Sequence, residues 1–331
     1  MKVLIAGFGS IGSRHLKNLF ALDSSCNVVI CHQQSTPIAV TDDFSSSVQR
    51  VYCLEEALDI RPDVALITGP ASTHVETGLA LAKHDIHLFI EKPLSDRMDG
   101  VEKLLNECRQ RRLVLMVGYN FRFYEPLQTV EKALRKQKIG RVLSIRAEAG
   151  QYLPDWRPAQ DYRQSVSARQ NLGGGVLLEL SHEFDYLCRL LGDVETVWAH
   201  TDRLSDLDVD VEDIAEVILQ FRSGAIGSVH LDMVQRTATR TCRIVGTEGT
   251  LTWDWDSHRV RMYSAAADKW TDLHPAEPLD PNDMYVAELR HFFDCVAIGR
   301  TPAVNGEAGR RVLQIILAAR RSSEAKRSVK L

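Results

Sequence analysis

The sequence predicts an α/β protein: an N-terminal Rossmann, doubly wound parallel sheet, then a C-terminal α+β domain with a large, mostly antiparallel open sheet. Three observations predict it. Over the first third, short apolar runs alternate with helix-length amphipathic stretches. A glycine-rich segment, Gly7-Phe8-Gly9-Ser10-Ile11-Gly12, joins the first run to the first helix. Beyond about residue 195, strand-like runs follow one another with turns and little helix between them.

The elements follow in order. Val3–Ala6 reads as a strand and Ile11–Leu22 as a helix. Val28–Cys31 is a second strand and Glu55–Asp59 a short helix. Val64–Thr68 is a buried strand, Thr73–His84 a helix, His87–Ile90 a strand, Arg97–Arg111 a helix and Val114–Val117 a strand. Strands alternating with helices imply right-handed parallel crossovers. The pattern then changes, with a helix at Glu125–Lys138, a strand at Val142–Ala149, an irregular polar stretch at Pro154–Gly175 and a helix at Val176–Leu191. Strands are predicted at Thr196–Thr201, Ile214–Phe221, Ile226–Asp232, Thr239–Val245, Thr250–Trp255 and Arg259–Tyr263. Turns such as Arg222-Ser223-Gly224 and Gly246-Thr247-Glu248-Gly249 separate them. Helices at Asp283–Ile298 and Gly306–Ser323 close the chain.

The 331 residues suggest two domains. Residues 1–120 would bind a dinucleotide. Residues 121–331 would bind substrate and mediate oligomerisation, with the last helix free to pack back on the first domain. The balance of 40 Lys+Arg against 44 Asp+Glu lacks the basic excess of a protein that wraps nucleic acid. No apolar run approaches the ~18 residues of a membrane span, and Val3–Ala6 is too short for a signal-peptide core. The seven scattered cysteines include no Cys-x-x-Cys pair, which points to reduced thiols, a cytoplasmic location and no zinc site.

Each glycine of the N-terminal segment has a predicted task. Gly7 permits the tight turn, Gly9 admits the pyrophosphate to the backbone, and Gly12 lets helix and strand pack closely. The amides at Ser10 and Ile11 open the helix toward the phosphates. An acidic residue is expected near the end of the second strand to bind the adenosine ribose. His32 or Gln33 stands there instead, with no Arg or Lys for a 2′-phosphate, so NAD and NADP both remain open.

In an open parallel sheet, ligands bind beyond the carboxyl ends of the strands. Those ends carry Thr68-Gly69-Pro70, with His74 shortly after, then Glu91-Lys92-Pro93, then Gly118-Tyr119-Asn120-Phe121-Arg122. Thr68, Pro70, His74, Glu91, Lys92 and Asn120 are therefore expected at the cofactor. Lys92, one step past a buried strand and followed by proline, suits proton transfer or substrate binding; the plainer alternative is a structural lysine paired with Glu91. In the second domain, Gly173-Gly174-Gly175 precedes a helix in which Glu179 and His182 would share a face. His182 can exchange protons near neutral pH, Glu179 could orient it, and the triple glycine would allow close approach to a ligand. A Glu–His pair at this spacing could ligate a cation, but no second such set is evident and no metal is expected. No Gly-x-Ser-x-Gly elbow is present.

Together these segments resemble the glucose-fructose oxidoreductase/inositol dehydrogenase family, Gfo/Idh/MocA. The resemblance rests on Gly7–Gly12, Glu91-Lys92-Pro93, Gly118–Arg122, Gly173–Gly175 with His182, the Gly246–Gly249 turn, and Asn305-Gly306-Glu307-Ala308-Gly309. It implies reversible hydride transfer between a nicotinamide and a secondary alcohol of a sugar, cyclitol or nucleotide sugar. It implies Lys92 and His182 as the proton-transfer residues, and a Trp-Arg loop near the nicotinamide matching Trp156 and Arg157. The family's Asp four residues before the histidine is Leu178 here, with Glu179 one place later. Family members form dimers or tetramers through the sheet face, so a homodimer or homotetramer is expected. The stretch from Gln151 to Arg163 is similar to members linked to bacterial surface-sugar biosynthesis. Arg122, Arg157, Arg163 and Arg169 could meet an anionic substrate, or the loop arginines could pair with Asp155 and Asp161 in solvent. A reductase of an imine, enone or tetrapyrrole, and a non-catalytic NAD(P)-binding regulator, are the alternatives on this scaffold.

Overall fold

A computed structural model describes residues 1–32, 48–274 and 278–331. It divides into two compact units. The first takes Met1–Asn120 and Met284–Arg310, the second Phe121–Asp283 and Arg311–Leu331. Residues 284–310, counted by the sequence with the C-terminal part, thus join the first unit. Backbone pairing explains this: Val117 N–H donates to Val304 O at 2.9 Å, and Met116 bridges Asn305.

The first unit is a six-stranded sheet of β1 (Lys2–Ala6), β2 (Asn27–Cys31), β3 (Val48–Val51), β4 (Val64–Ile67), β5 (His87–Glu91) and β6 (Leu115–Gly118). The order is β3-β2-β1-β4-β5-β6, all parallel, with Val3 paired to both Val28 and Val64. β4 and β6 are buried along their whole length, as strands covered on both faces must be. Helices α1 (Ser10–Leu22), α2 (Leu54–Asp59), α3 (His74–Ala82) and α4 (Val101–Gln110) make the crossovers. α4 starts later than predicted because Gly100, at φ 75°, ends a turn immediately before it. β3 was not predicted: Val-Gln-Arg-Val is a short edge strand whose two middle residues are exposed.

The second unit is built on α5 (Glu125–Arg135), β7 (Val142–Gly150), α6 (Leu153–Trp156), α7 (Val176–Glu179), α8 (His182–Leu191), β8 (Val194–Asp202), β9 (Ile214–Phe221), β10 (Ile226–Asp232), β11 (Thr239–Gly246), β12 (Gly249–Asp254), β13 (Val260–Ser264) and β14 (Lys269–His274). After α9 (Asp283–Ile298) and α10 (Gly306–Ala325), the chain ends in β15 (Val329–Lys330). The sheet order is β14-β13-β12-β11-β7-β10-β9-β8-β15, antiparallel except for β7 and β10. β9 alternates buried and exposed residues, so one sheet face is core and the other is open. Trp253, Phe221 and Phe184 are fully buried in that core.

Two predictions need correction here. The edge strands β14 and β15 were missed, one because it is mostly polar and the other because it is two residues long. The single helix predicted over Val176–Leu191 is two helices. Leu180, at φ −98° and ψ 34°, leaves the helical region between them.

Candidate active site

The first unit forms a compact constellation at the carboxyl ends of its strands. Gly7 sits at φ +94°, and a Cβ there would stand 2.6 Å from the Gly69 nitrogen. A Cβ on Gly12 would stand 2.7 Å from Gly7 O. Both positions therefore need glycine to let backbone meet backbone. Gly9 differs: it is exposed, and nothing lies within 4 Å of where its Cβ would be. Ser10, also exposed, begins α1, which has no side-chain cap. The first-turn amides, including those of Ser10 and half-buried Ile11, accordingly face an open cradle.

Thr68 Oγ1 donates to Gly7 O at 2.5 Å and so braces the glycine turn. His32, half-buried after β2, donates its N–H to Val51 O at 3.2 Å. Gln33 lies outside the described residues. Pro70 accepts from the Thr73 hydroxyl at 2.8 Å, opening the turn before α3. His74 was expected at the cofactor, and the structure gives it another task. It is 1% exposed, with Nδ1 2.9 Å from Pro93 O and Nε2 2.9 Å from Gly69 O. It staples the loop after β4 to the Glu-Lys-Pro tripeptide. Burial pushes its pKa down against the pull of those two carbonyls.

Lys92 is half-buried directly after β5, and its peptide bond to Pro93 is cis. Glu91 is 7% exposed; its Oε2 accepts from the Lys92 N–H at 3.1 Å and its Oε1 lies 2.6 Å from His15 Nε2. Asn120 is buried after β6 and hydrogen-bonds Tyr285 of α9.

In the second unit, His182 opens α8 at 9% exposure, its ring stacked on Phe121 at 4.4 Å and 19°. Glu179 ends α7, on a different helix, so the shared face predicted for the two does not form. Gly174 and Gly175 are needed for packing. A Cβ on Gly174 would strike Val166 O at 2.3 Å, and one on Gly175 would strike Glu212 Oε1 at 2.5 Å.

Arg122 was expected to meet substrate, but its Nε and Nη2 each donate to Asp185 at 2.7 Å. Burial opposes its charge, and Asp185 more than restores it, leaving the pKa raised. Arg163 forks onto Asp161, and Arg169 donates to Arg163 O at 2.6 Å with Asp208 and Asp210 nearby. The solvated-loop alternative thus describes Arg163 well. Trp156 Nε1 donates to Gln151 O at 2.9 Å, and Trp156 and exposed Arg157 line a shallow open recess with Tyr162 and Ser165.

Residues 1–119 match the oxidoreductase family with an NAD-binding Rossmann fold, and residues 127–252 match the GFO/IDH/MocA C-terminal domain. The chain belongs to the Gfo/Idh/MocA oxidoreductase family. Among similar members, a myo-inositol 2-dehydrogenase of Thermotoga maritima is 29% identical over 100% of this chain and 98% of its own. A D-xylose 1-dehydrogenase (NADP(+)) of Haloferax volcanii is 26% identical over 99% of this chain and 98% of its own. A solved structure of levoglucosan dehydrogenase with NADH shares the fold at a TM-score of 0.88, with 21% identity over 100% of this chain and 98% of that one.

This Gfo/Idh/MocA chain fits a nicotinamide dinucleotide on its own geometry. The open space above Gly9, the uncapped amides of α1 and the absence of an acid in its first turn all suit a pyrophosphate. Sequence reasoning missed two residues of the constellation, His15 and Glu288. Glu288 carried a readable signal: it is an acid within the buried stripe Met284, Leu289, Phe292 and Cys295 of α9.

Proposed function

We propose that the protein transfers hydride between nicotinamide and a secondary alcohol or ketone of a sugar, cyclitol or nucleotide sugar. When bound, the dinucleotide supplies or accepts the hydride; the chain's residues bind it, position the substrate and move the hydroxyl proton. The glycine turn and the amides of α1 would hold the pyrophosphate, with Thr68 bracing the turn. His32 would stand at the adenosine ribose, leaving NAD and NADP both admissible. Lys92 would take up or release the hydroxyl proton, and His182 is likewise assigned to proton transfer. Trp156 and Arg157 are assigned to the nicotinamide end, and Arg157 and Arg169 to an anionic substituent of the substrate. Glu179, expected as a third catalytic residue orienting His182, ends a separate helix, α7, and is given no role here.

One observation carries the reading: His74 ties Gly69 O and Pro93 O together at 2.9 Å each. That contact fixes the lysine tripeptide to the loop packed under the dinucleotide turn. The test is Lys92→Met. NADH fluorescence titration should give an affinity within about threefold of wild type, while turnover over a panel of inositols, aldoses and UDP-sugars falls at least about a hundredfold. Near-normal turnover in that variant would sink the mechanism. Parallel titrations with NADPH decide the cofactor.

Two coarser assignments go with this. All seven cysteines are free thiols, which supports a cytoplasmic protein. Trp198 (46% exposed) and Ile226 (55%) on the open sheet face support a homodimer or homotetramer formed there. Among the described residues no helix is long and apolar enough to cross a membrane.

A further inference from the structure

Three buried ionisable side chains meet inside the first unit. His15 of α1 and Glu288 of α9 are 0% exposed, and Glu91 is 7%. One polar atom of each lies within 4.8 Å of the other two. His15 Nε2 and Glu91 Oε1 are 2.6 Å apart, so the imidazole N–H donates to the carboxylate. Two ligands of one ion stand about 3 Å or more apart, so this contact is a hydrogen bond and not half of a metal site. Gly118 makes room for Glu91: a Cβ there would stand 3.1 Å from Oε2. Neither oxygen of Glu288 has a hydrogen-bond donor among the described residues.

Two carboxylates this close in a dry interior do not both stay ionised. Glu91 has two donors, His15 Nε2 and the Lys92 N–H, and both favour its charge. Glu288 has none, so the proton belongs on Glu288. Burial first, and then the Glu91 charge, hold its pKa well above the ordinary carboxylate range. As a neutral acid, Glu288 has an O–H to offer, and a Glu91 carboxylate oxygen lies within 4.8 Å of one of its own.

We propose that Glu288 is a neutral carboxylic acid which, with His15, fixes the Glu91 carboxylate, so that both are positioning residues for Lys92. The proposal rests on the role given to Lys92 above. The chain of contacts is short: the Glu91 carboxylate accepts the N–H of the residue that follows it. A carboxylate clamped from two further sides cannot swing, and the backbone that carries the lysine is held with it. The other titratable groups nearby are Tyr285, His74 and Arg14. Tyr285 packs edge-on to His15 at 6.3 Å, with the Arg14 guanidinium 4.5 Å from its ring centre. The Glu91 charge reaches both Tyr285 and His74.

The first test needs neither cofactor nor turnover. Infrared spectra of the dinucleotide-free protein at neutral pH should contain the carbonyl band of a protonated carboxylic acid, and Glu288→Gln should remove it. A wild type without that band, or a Glu288→Gln protein that keeps it, overturns the proposal.

The second test separates positioning from support of the fold. Glu288→Leu matches the cavity in volume and polarity but offers no donor, and its thermal midpoint should be no lower than wild type. Its kcat should nonetheless fall at least about tenfold, with NADH affinity within about threefold, and Glu288→Gln should recover kcat to within about threefold. Equal losses in the Gln and Leu variants, or losses that track melting temperature, overturn it. If the wild type binds no NADH, the dinucleotide reading fails and the infrared band alone decides this one.

Discussion

The two units each contain a glycine run just before a helix, and they use it in opposite ways. At Gly9 the space a side chain would fill is empty. At Gly174 it is already filled by the carbonyls of Val166, Ser167 and Arg169. Buried carboxylates divide in the same manner. In the second unit Asp185 has Arg122 and Glu183 has Arg240, while Asp213 and Asp232 accept backbone N–H donors, those of Leu204 and Ser205 and those of Val234 and Gln235. In the first unit Glu91 shares an imidazole, and neither oxygen of Glu288 has a hydrogen-bond donor among the described residues. At Gly174, and at Asp185 and Glu183, the second unit uses glycine and charge for its own packing. The first has left a cradle open and an acid unsatisfied, which is where a ligand and a proton can be accommodated.

The largest effect that tests this contrast is Gly174→Ala. A methyl group 2.3 Å from a backbone oxygen forces the 166–169 segment to move, at a cost of about 3 kcal/mol or more. Denaturant melts should show a clearly lowered midpoint. A midpoint like wild type would mean the run is loose, and would reopen its use as a ligand approach. Next is Gly9→Val. Nothing surrounds the new side chain, so stability should change by no more than about 1 kcal/mol. NADH affinity should fall by about a hundredfold, or about 2.8 kcal/mol, because the side chain stands over the amides. Undiminished affinity in a folded Gly9→Val protein would remove the dinucleotide from that turn.

How much of this was legible depends on how local each signal is. The turn at Gly7–Gly12 and the parallel order of the first sheet follow from a strand–glycine–helix pattern contained within a few residues. The Glu-Lys-Pro tripeptide was legible because it ends a buried apolar strand. The use of Gly173–Gly175 was not, because what fills the space beside Gly174 lies five to eight residues upstream in a segment with no regular pattern. The break between Glu179 and His182 was hidden because Leu180 and Ser181 are compatible with helix; tertiary packing set their dihedrals. Arg122 looked like a substrate contact because its partner, Asp185, is 63 residues away in sequence. His15 and Glu288 each read as one polar residue on an apolar helix face, and only the fold brings them to Glu91.

Per unit of pH the smallest effect is a slope in stability, and it sharpens the comparison between carboxylates. Glu288 has a folded pKa well above its ordinary 4.5. Below that ordinary value folded and unfolded chains are both protonated, and the group contributes nothing to the pH dependence. Above it the unfolded chain releases the proton while the folded chain keeps it, so stability falls as pH rises toward the folded pKa. Asp232 in the second unit has the opposite sign. Burial opposes its charge, but the His230 hydrogen bond and the N–H groups of Gln235 and Val234 outweigh that and lower its pKa. Its contribution is present above the ordinary aspartate value and lost as pH falls through the folded one. Glutamine at 288 cannot ionise. The Glu288→Gln protein should therefore gain on wild type as pH is raised from about 5 to about 8, by at most about 1.4 kcal/mol per unit. Denaturant melts of both proteins across that range read the difference directly. Parallel curves would mean that Glu288 is ionised in the fold and that the contrast between the two units' buried acids does not hold.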